Sequence, residues 1–102
     1  MTEAMAARSG RAYARDVFVV DCSKALDRAS LHDELERSLP LPSYYGRNLD
    51  ALYDSLCELH GCEIVVAHTD ALSVLGSYGE RLLECLEDVY EDTGLDIRFI
   101  AD

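Results

Sequence analysis

The hydrophobic positions of this 102-residue chain form three strand-like runs separated by helical patterns. The runs cover residues 16–22 (DVFVVDC), 62–68 (CEIVVAH) and 96–101 (DIRFIA), and all are rich in Val, Ile and Phe. The first two are almost continuously apolar, which is typical of strands covered on both faces. Strands separated by helices pair in parallel through crossover connections. The pattern therefore predicts an α/β fold with a small three-stranded parallel sheet packed with three to four helices.

Two helices are predicted between the first two strands. Ser30 and Asp33 have the spacing of a capping box, and leucines at positions 31, 35 and 39 then share one face until prolines 40 and 42 stop the helix. Asn48 is a favoured N-cap for a second helix, which carries leucines at positions 49, 52, 56 and 59 and ends before Gly61.

A short turn and a longer helix are predicted after the second strand. Asp70 can cap a turn that runs through Leu75, and Gly76 and Gly79 then interrupt the helical pattern. Hydrophobic positions 82, 83, 86, 89 and 90 mark the longer helix, which ends near Gly94.

Composition and charge narrow the class of protein. A hydrophobic content of 49% with 6 Gly and 2 Pro is typical of a globular domain, which we place at residues 16–102 behind a flexible N-terminal tail, residues 1–15. No apolar run approaches the ~20 residues of a membrane span. The net charge of -11 disfavours nucleic acid and anionic membranes as partners, and it favours cationic proteins.

The compartment and oligomeric state follow from weaker signals. The four cysteines, at positions 22, 57, 62 and 85, lie in strand-like or helical sequence without an export signal, so we expect reduced packing thiols and a cytoplasmic location. Neither a long heptad pattern nor a large apolar excess favours an obligate dimer, and we expect a monomer when the chain is free.

The second helix carries two acidic residues that helix stability does not explain. Its leucines fall within an arc of about 80°, while Asp50 and Asp54 lie about 40° apart on the opposite side. Asp50 is favoured by the helix dipole in the first turn, but Asp54 is a poor helix former one turn from a like charge.

In the loop before the helix, we expect one of Tyr44 and Tyr45 to be buried and the other to lie beside the aspartates. Exposed tyrosine next to carboxylates is typical of a protein interface, and Tyr53 extends that patch.

The stretch LPSYYGRNLDALYDSL, residues 41–56, resembles the signature of the barstar family, intracellular inhibitors of secreted bacterial ribonucleases. The order of strands and helices agrees over about residues 16–102. The resemblance implies a stoichiometric inhibitor, not an enzyme, without catalytic residues, metal or cofactor. It also implies a small basic secreted ribonuclease, barnase-like or guanyl-specific, as the partner. By position it implies a partner-binding surface that consists of Tyr44, Gly46, Asn48, Asp50, Tyr53 and Asp54, with Asp54 as the central carboxylate.

A further acidic contact of the family lies on the last long helix. Aligning the leucines of that helix places the contact at Asp88, which we prefer, whereas aligning backward from Gly94 places it at Val89. Two positions depart from the family signature: Tyr53 replaces a tryptophan, and Arg47 replaces a glutamate. These departures predict a cognate nuclease that differs from barnase itself.

Three alternatives compete with this interpretation. Residues 57–68 contain a C-x2-H-x-C-x5-H string (Cys57, His60, Cys62 and His68) with ligand types for zinc, although the spacing fits no zinc module we can name. Asp50 and Asp54 could serve an enzyme as acid and base or hold magnesium. The same acidic patch could also bind another basic toxin, as an immunity protein does, or a basic regulatory protein.

Overall fold

Three parallel strands form the sheet of this chain in the order β1-β2-β3. In a computed structural model that describes residues 16–102, β1 spans Asp16–Asp21, β2 spans Cys62–Ala67 and β3 spans Asp96–Ile100. The register places residue 18 opposite residue 64, and residue 64 opposite residue 97. The predicted α/β class and parallel sheet are confirmed. The predicted tail lies outside the described residues, and the domain bounds stay a prediction.

Three α-helices and two 3-10 segments connect the strands in the described part of the chain. The helices are α1 (Arg28–Ser38), α2 (Leu49–Cys57) and α3 (Ser77–Thr93), and the 3-10 segments are Cys22–Lys24 and Thr69–Leu75. Leucines of all three helices join β2 in one core, at positions 31, 35, 52, 56, 82 and 86. The helical pattern therefore predicted these six buried leucines, whereas leucines 49, 59 and 83 of the same pattern are only half-buried and Tyr90 is 53% exposed.

Two of the predicted helix starts are wrong. The capping box of α1 is formed by Asp27 and Ser30: Asp27 Oδ1 accepts a hydrogen bond from the Ser30 N–H at 2.8 Å, and Ser30 Oγ accepts one from the Asp27 N–H at 3.0 Å. The helix thus begins one turn before the predicted box. Asp70 caps no turn, since the 3-10 segment starts at Thr69 and the Asp70 N–H donates to the Ala101 carbonyl at 3.1 Å.

Gly79 does not interrupt α3, contrary to the prediction. It lies within the helix and is buried against the preceding 3-10 segment. A Cβ atom at this position would lie 2.5 Å from the Leu72 carbonyl oxygen, which is too close for any other residue. Gly79 therefore serves close packing, whereas Gly76, with φ of 60°, marks the true start of the helix.

The sheet buries one face and exposes the other. Along β1, Val20 is 2% exposed, whereas Val17 and Val19 are 54% and 48% exposed. The prediction that β1 and β2 are covered on both faces is therefore wrong for residues 16–102. Right-handed crossovers between strands in the order β1-β2-β3 place every connecting helix on the same side of the sheet, and this accounts for the open face.

Candidate functional site

Helix α2 presents an acidic ridge, Asp50 and Asp54, on the side opposite its buried leucines. Leu52 and Leu56 are fully buried in the core, while both aspartates are exposed. The helix begins where predicted, because Asn48 Oδ1 accepts a hydrogen bond from the Ala51 N–H at 2.7 Å. The core contact and the cap fix the helix, so the positions of the two carboxylates are set by the fold.

The loop that precedes α2, residues 42–48, is called here the tyrosine loop. Tyr45 is 7% exposed and Tyr44 is 84% exposed, which confirms that one ring is buried and the other is presented to solvent. Gly46 lies between this loop and the helix cap: its carbonyl accepts from Asn48 Nδ2 at 3.2 Å, and a Cβ there would lie 3.3 Å from that nitrogen. The loop thus offers an exposed ring and bare backbone next to the ridge.

A buried histidine ties the tyrosine loop to α1 and α3. His32 Nδ1 lies 2.7 Å from the Tyr45 hydroxyl, and His32 Nε2 lies 2.8 Å from the Tyr78 hydroxyl. Desolvation by burial lowers the pKa of His32, and the charges of Arg47 and Arg28 lower it further. A neutral imidazole has one donor and one acceptor nitrogen, so the ring donates to one tyrosine and accepts from the other.

Arg47 fastens the other end of the loop to α1. Its guanidinium lies 2.9 Å from Asp33 Oδ1 and 2.7 Å from Glu36 Oε1, and it donates to the Ala29 carbonyl at 3.0 Å. The contacts with the two carboxylates raise the pKa of Arg47, and the hydrogen bond to Asp33 is the largest cause. The backbone adopts φ of 55°, which is uncommon for a residue other than glycine. The positive charge of Arg47 is therefore compensated by two carboxylates of α1.

Two shallow depressions flank α2 and bring the predicted site residues together. One, of about 160 Å³, is lined by Tyr44, Gly46 and Asp54 among others. The other, of about 280 Å³, lies between α2 and α3. Three predicted residues line the second depression: Asp50, Tyr53 and Asp88. The acidic ridge separates the two depressions, so a partner that covers the ridge would contact both.

The structure distinguishes the two candidate positions on α3. Asp88 is exposed and lines the depression beside Asp50, whereas Val89 is fully buried in the core. Of the two, only Asp88 is exposed to solvent. Alignment by the core leucines gives this placement because those leucines fix the rotation of the helix.

Tyr53 has a contact that the sequence did not predict. Its hydroxyl donates a hydrogen bond to Asp92 of α3. That hydrogen bond raises the pKa of Tyr53, and a further hydrogen bond to Cys57 raises it more. The ring is thereby held across the groove between α2 and α3. The spacing of Asp88 and Asp92, one helical turn apart, is the signal from which the second carboxylate could have been found.

His32, which lies below the tyrosine loop, was also missed by sequence reasoning. His32 follows Leu31 and precedes Leu35 by three positions, which places it at the border of the buried face of α1. That position indicated a buried ring. The hydrogen bonds of His32 to Tyr45 and Tyr78 join residues 13 and 46 positions apart, and no local pattern shows them.

The zinc-type string of residues 57–68 does not form a metal site. Within residues 16–102, no group of three or more His, Cys, Asp or Glu side chains is placed to hold a metal ion. Cys57 lies on α2, Cys62 begins β2, and His60 and His68 are exposed. Over the same residues, no helix combines the length and the apolar character that crossing a membrane requires.

Comparison with known proteins identifies the family. The model of the family described as Barstar (barnase inhibitor) matches residues 15–101. This chain belongs to the barstar family. The barstar-family match includes both depressions and all three helices. The resemblance seen in residues 41–56 is confirmed by it.

A curated relative supports the same assignment. The chain is 35% identical over 75 residues to the Bacillus subtilis (strain 168) protein named "Putative ribonuclease inhibitor YrdF". The aligned part covers 71% of this barstar-family chain and 82% of the relative. The similarity thus extends over most of both proteins.

Proposed function

We propose that this chain is a stoichiometric inhibitor of a small basic bacterial ribonuclease, and that α2 and the tyrosine loop block the active site of the enzyme. The observation that carries this proposal is the acidic ridge itself. Within the described residues, neither Asp50 nor Asp54 forms an ion pair, although both are exposed beside Tyr44 and Tyr53. The name of the relative and the description of the family support an inhibitor rather than an enzyme.

The proposed mechanism is charge mimicry. A ribonuclease holds the phosphate of RNA with Arg, Lys and His side chains, and a carboxylate in the same cleft forms charge-assisted hydrogen bonds to them. Asp54, between the exposed Tyr44 ring and the backbone of Gly46, is the group proposed to replace the phosphate. The inhibitor offers the charge of the substrate without a bond to cleave.

The other site residues have supporting roles in this proposal. Asp50 and Asp88 line the second depression and would pair with cations at the edge of the cleft. Tyr44 supplies an exposed aromatic surface of the kind that anchors protein interfaces. Asn48 supports the surface indirectly, because its side chain caps the N-terminus of α2 and so fixes the first turn of that helix. We further propose that the free chain is a cytoplasmic monomer and that the partner is secreted, either barnase-like or guanyl-specific.

The experiment is a titration of ribonuclease activity. A panel of small basic bacterial ribonucleases, including guanyl-specific ones, is mixed with increasing amounts of the chain, and RNA cleavage is measured. We expect activity to reach zero at one equivalent of chain for at least one enzyme, and added nucleotide that fills the cleft to slow the association. If every enzyme stays fully active with excess chain, the proposal fails. Binding of another basic protein in its place would favour an immunity or regulatory role.

A further inference from the structure

Cationic side chains gather at the N-terminal end of α2, next to the acidic ridge. A depression of about 240 Å³ there is lined by Arg28, Arg47 and Arg81, together with Tyr78 and Asp50. The whole chain has 9 Lys and Arg against 20 Asp and Glu. Among the charged residues that line this depression, arginines therefore outnumber carboxylates, the reverse of the chain as a whole.

Two of these arginines make no ion pair within the described residues. Arg47 is paired with Asp33 and Glu36, but Arg28 and Arg81 instead contact the ring of Tyr78, with guanidinium carbons 4.0 and 5.5 Å from its centroid. We call Arg28 and Arg81 the arginine rim. The Tyr78 hydroxyl is held by His32 at 2.8 Å, so the ring is a fixed support for both guanidinium groups.

The arginine rim is continuous with the proposed binding surface. Arg81 and Asp50 both line this depression and also the groove between α2 and α3, yet they do not come within the 4.0 Å of an ion pair in the described chain. A partner that covers Asp50 therefore also covers Arg81. A guanidinium removed from water without an acceptor is costly, and a basic surface placed against it would repel it.

We propose that the arginine rim receives a carboxylate of the partner ribonuclease. This inference rests on the proposed function and specifies which partner fits: a basic ribonuclease with an acidic side chain at the edge of its active-site cleft. The planar fork of arginine matches a carboxylate through paired hydrogen bonds. Basic ribonucleases without that carboxylate are rejected, because the rim then meets like charge.

The sign of a charge change tests this inference. Removing one positive charge makes the chain more negative, and long-range attraction to a basic enzyme then increases. Arg81→Gln should nevertheless weaken binding if Arg81 pairs with a carboxylate. Lys24→Gln is the matched control, because Lys24 is exposed in the 3-10 segment after β1 and lines none of the depressions around α2.

The enzyme used is the ribonuclease that the wild-type chain inhibits most tightly in the panel. We expect the dissociation constant to rise about tenfold for Arg81→Gln and about a hundredfold for Arg28→Gln/Arg81→Gln, and to stay the same or fall for Lys24→Gln. Substituting the acidic residues of the nuclease by Ala, one at a time, should identify one whose loss has little effect once Arg81 is Gln. Circular dichroism checks that each variant is folded.

The outcomes separate this inference from the proposed function. If Arg81→Gln binds as tightly as Lys24→Gln while Asp54→Ala loses inhibition, the rim has no carboxylate partner and the inhibitor function stands. If the wild-type chain inhibits no ribonuclease of the panel, the proposed function fails and this inference fails with it.

Discussion

Helices α1 and α2 precede and follow the tyrosine loop, and they differ in whether their carboxylates form ion pairs. On α1, Asp33, Glu34 and Glu36 each lie 2.6 to 2.9 Å from an arginine nitrogen. On α2, Asp50 and Asp54 make no ion pair with any described residue. Unpaired acids are therefore not simply the result of an acidic composition, since the neighbouring helix pairs its own.

Glu34 is the α1 carboxylate with the most hydrogen bonds. Its carboxylate is almost fully buried and accepts two hydrogen bonds from Arg37, at 2.6 and 2.8 Å, and one from the Asp21 N–H at 2.9 Å. The Arg37 hydrogen bond lowers the pKa of Glu34 although burial opposes it. The carboxylates of α1 are therefore paired within the chain, while those of α2 are exposed without an ion pair to any described residue.

Asp54→Ala should have the largest effect on binding. Removing one partner of a desolvated charge pair costs about 2 to 5 kcal/mol, because the cations of the nuclease are left unpaired. The free energy of unfolding should change little, since Asp54 is exposed and makes no ion pair in the described chain. Inhibition titrations and urea unfolding measure the two quantities.

Asp70→Ala is the matched control for this change. Asp70 is also an exposed aspartate, and the depression it lines shares no residue with those beside α2. Equal inhibition by Asp54→Ala and Asp70→Ala would show that the acidic ridge has no special role.

Salt should slow the association of inhibitor and nuclease by about tenfold between 0.05 and 0.5 M, because the Debye length is only ~10 Å at 0.1 M. Stopped-flow mixing measures the rate. Asp50→Asn should reduce this salt dependence more than Asp70→Asn does. A rate that is independent of salt would contradict a role of the α2 carboxylates in steering.

Arg47→Ala should lower the free energy of unfolding modestly, because two partly exposed ion pairs and one hydrogen bond to a carbonyl are lost. Thermal or urea unfolding measures this loss. The same substitution made in an Asp33→Ala/Glu36→Ala background should cost less. Equal costs in both backgrounds would show that the ion pairs do not contribute.

Acid should weaken the fold through His32. The ordinary pKa of a histidine is 6.5, and burial in the folded chain lowers the pKa of His32 below that value. The unfolded chain therefore binds the proton more readily. The stability that the neutral ring contributes is complete above pH ~6.5 and declines as the pH falls below that value. Urea unfolding at pH 7.5 and 5.5 measures the decline.

The exposed residue His60 provides the control for this pH effect. His60→Gln should keep the decline of the wild type. NMR of the His32 ring should give a titration midpoint below 6.5. A midpoint above that value would reverse the sign of the effect and contradict the prediction.

The elements of the fold and the acidic face of α2 could be predicted because their signals are local. Residues within a few positions of one another predict the cap at Asn48 and the leucine spacing of α2. They also predict that one of Tyr44 and Tyr45 is buried and the other exposed. The role of Arg47 could not be predicted, since its partners are 11 to 18 positions away and its backbone adopts a positive φ. The sequence identified Arg47 only as a departure from the family signature.

Other errors came from contacts between elements. Glycine usually breaks helices, and only the close contact with the Leu72 backbone explains why a glycine is needed at position 79 inside α3. The apolar runs of β1 and β2 predicted cover on both faces, but run composition does not encode the side on which the connecting helices pack.

The two hydrogen bonds that join His32 with Tyr45 and Tyr78 have a consequence for the lifetime of a complex. Because the base of the loop is already immobilised in the free chain, capture of an enzyme would not require that backbone to become ordered. The entropic cost would fall mainly on exposed side chains such as Tyr44, at about 0.5 to 1.5 kcal/mol for each one that is immobilised. A preorganised loop of this kind favours slow dissociation.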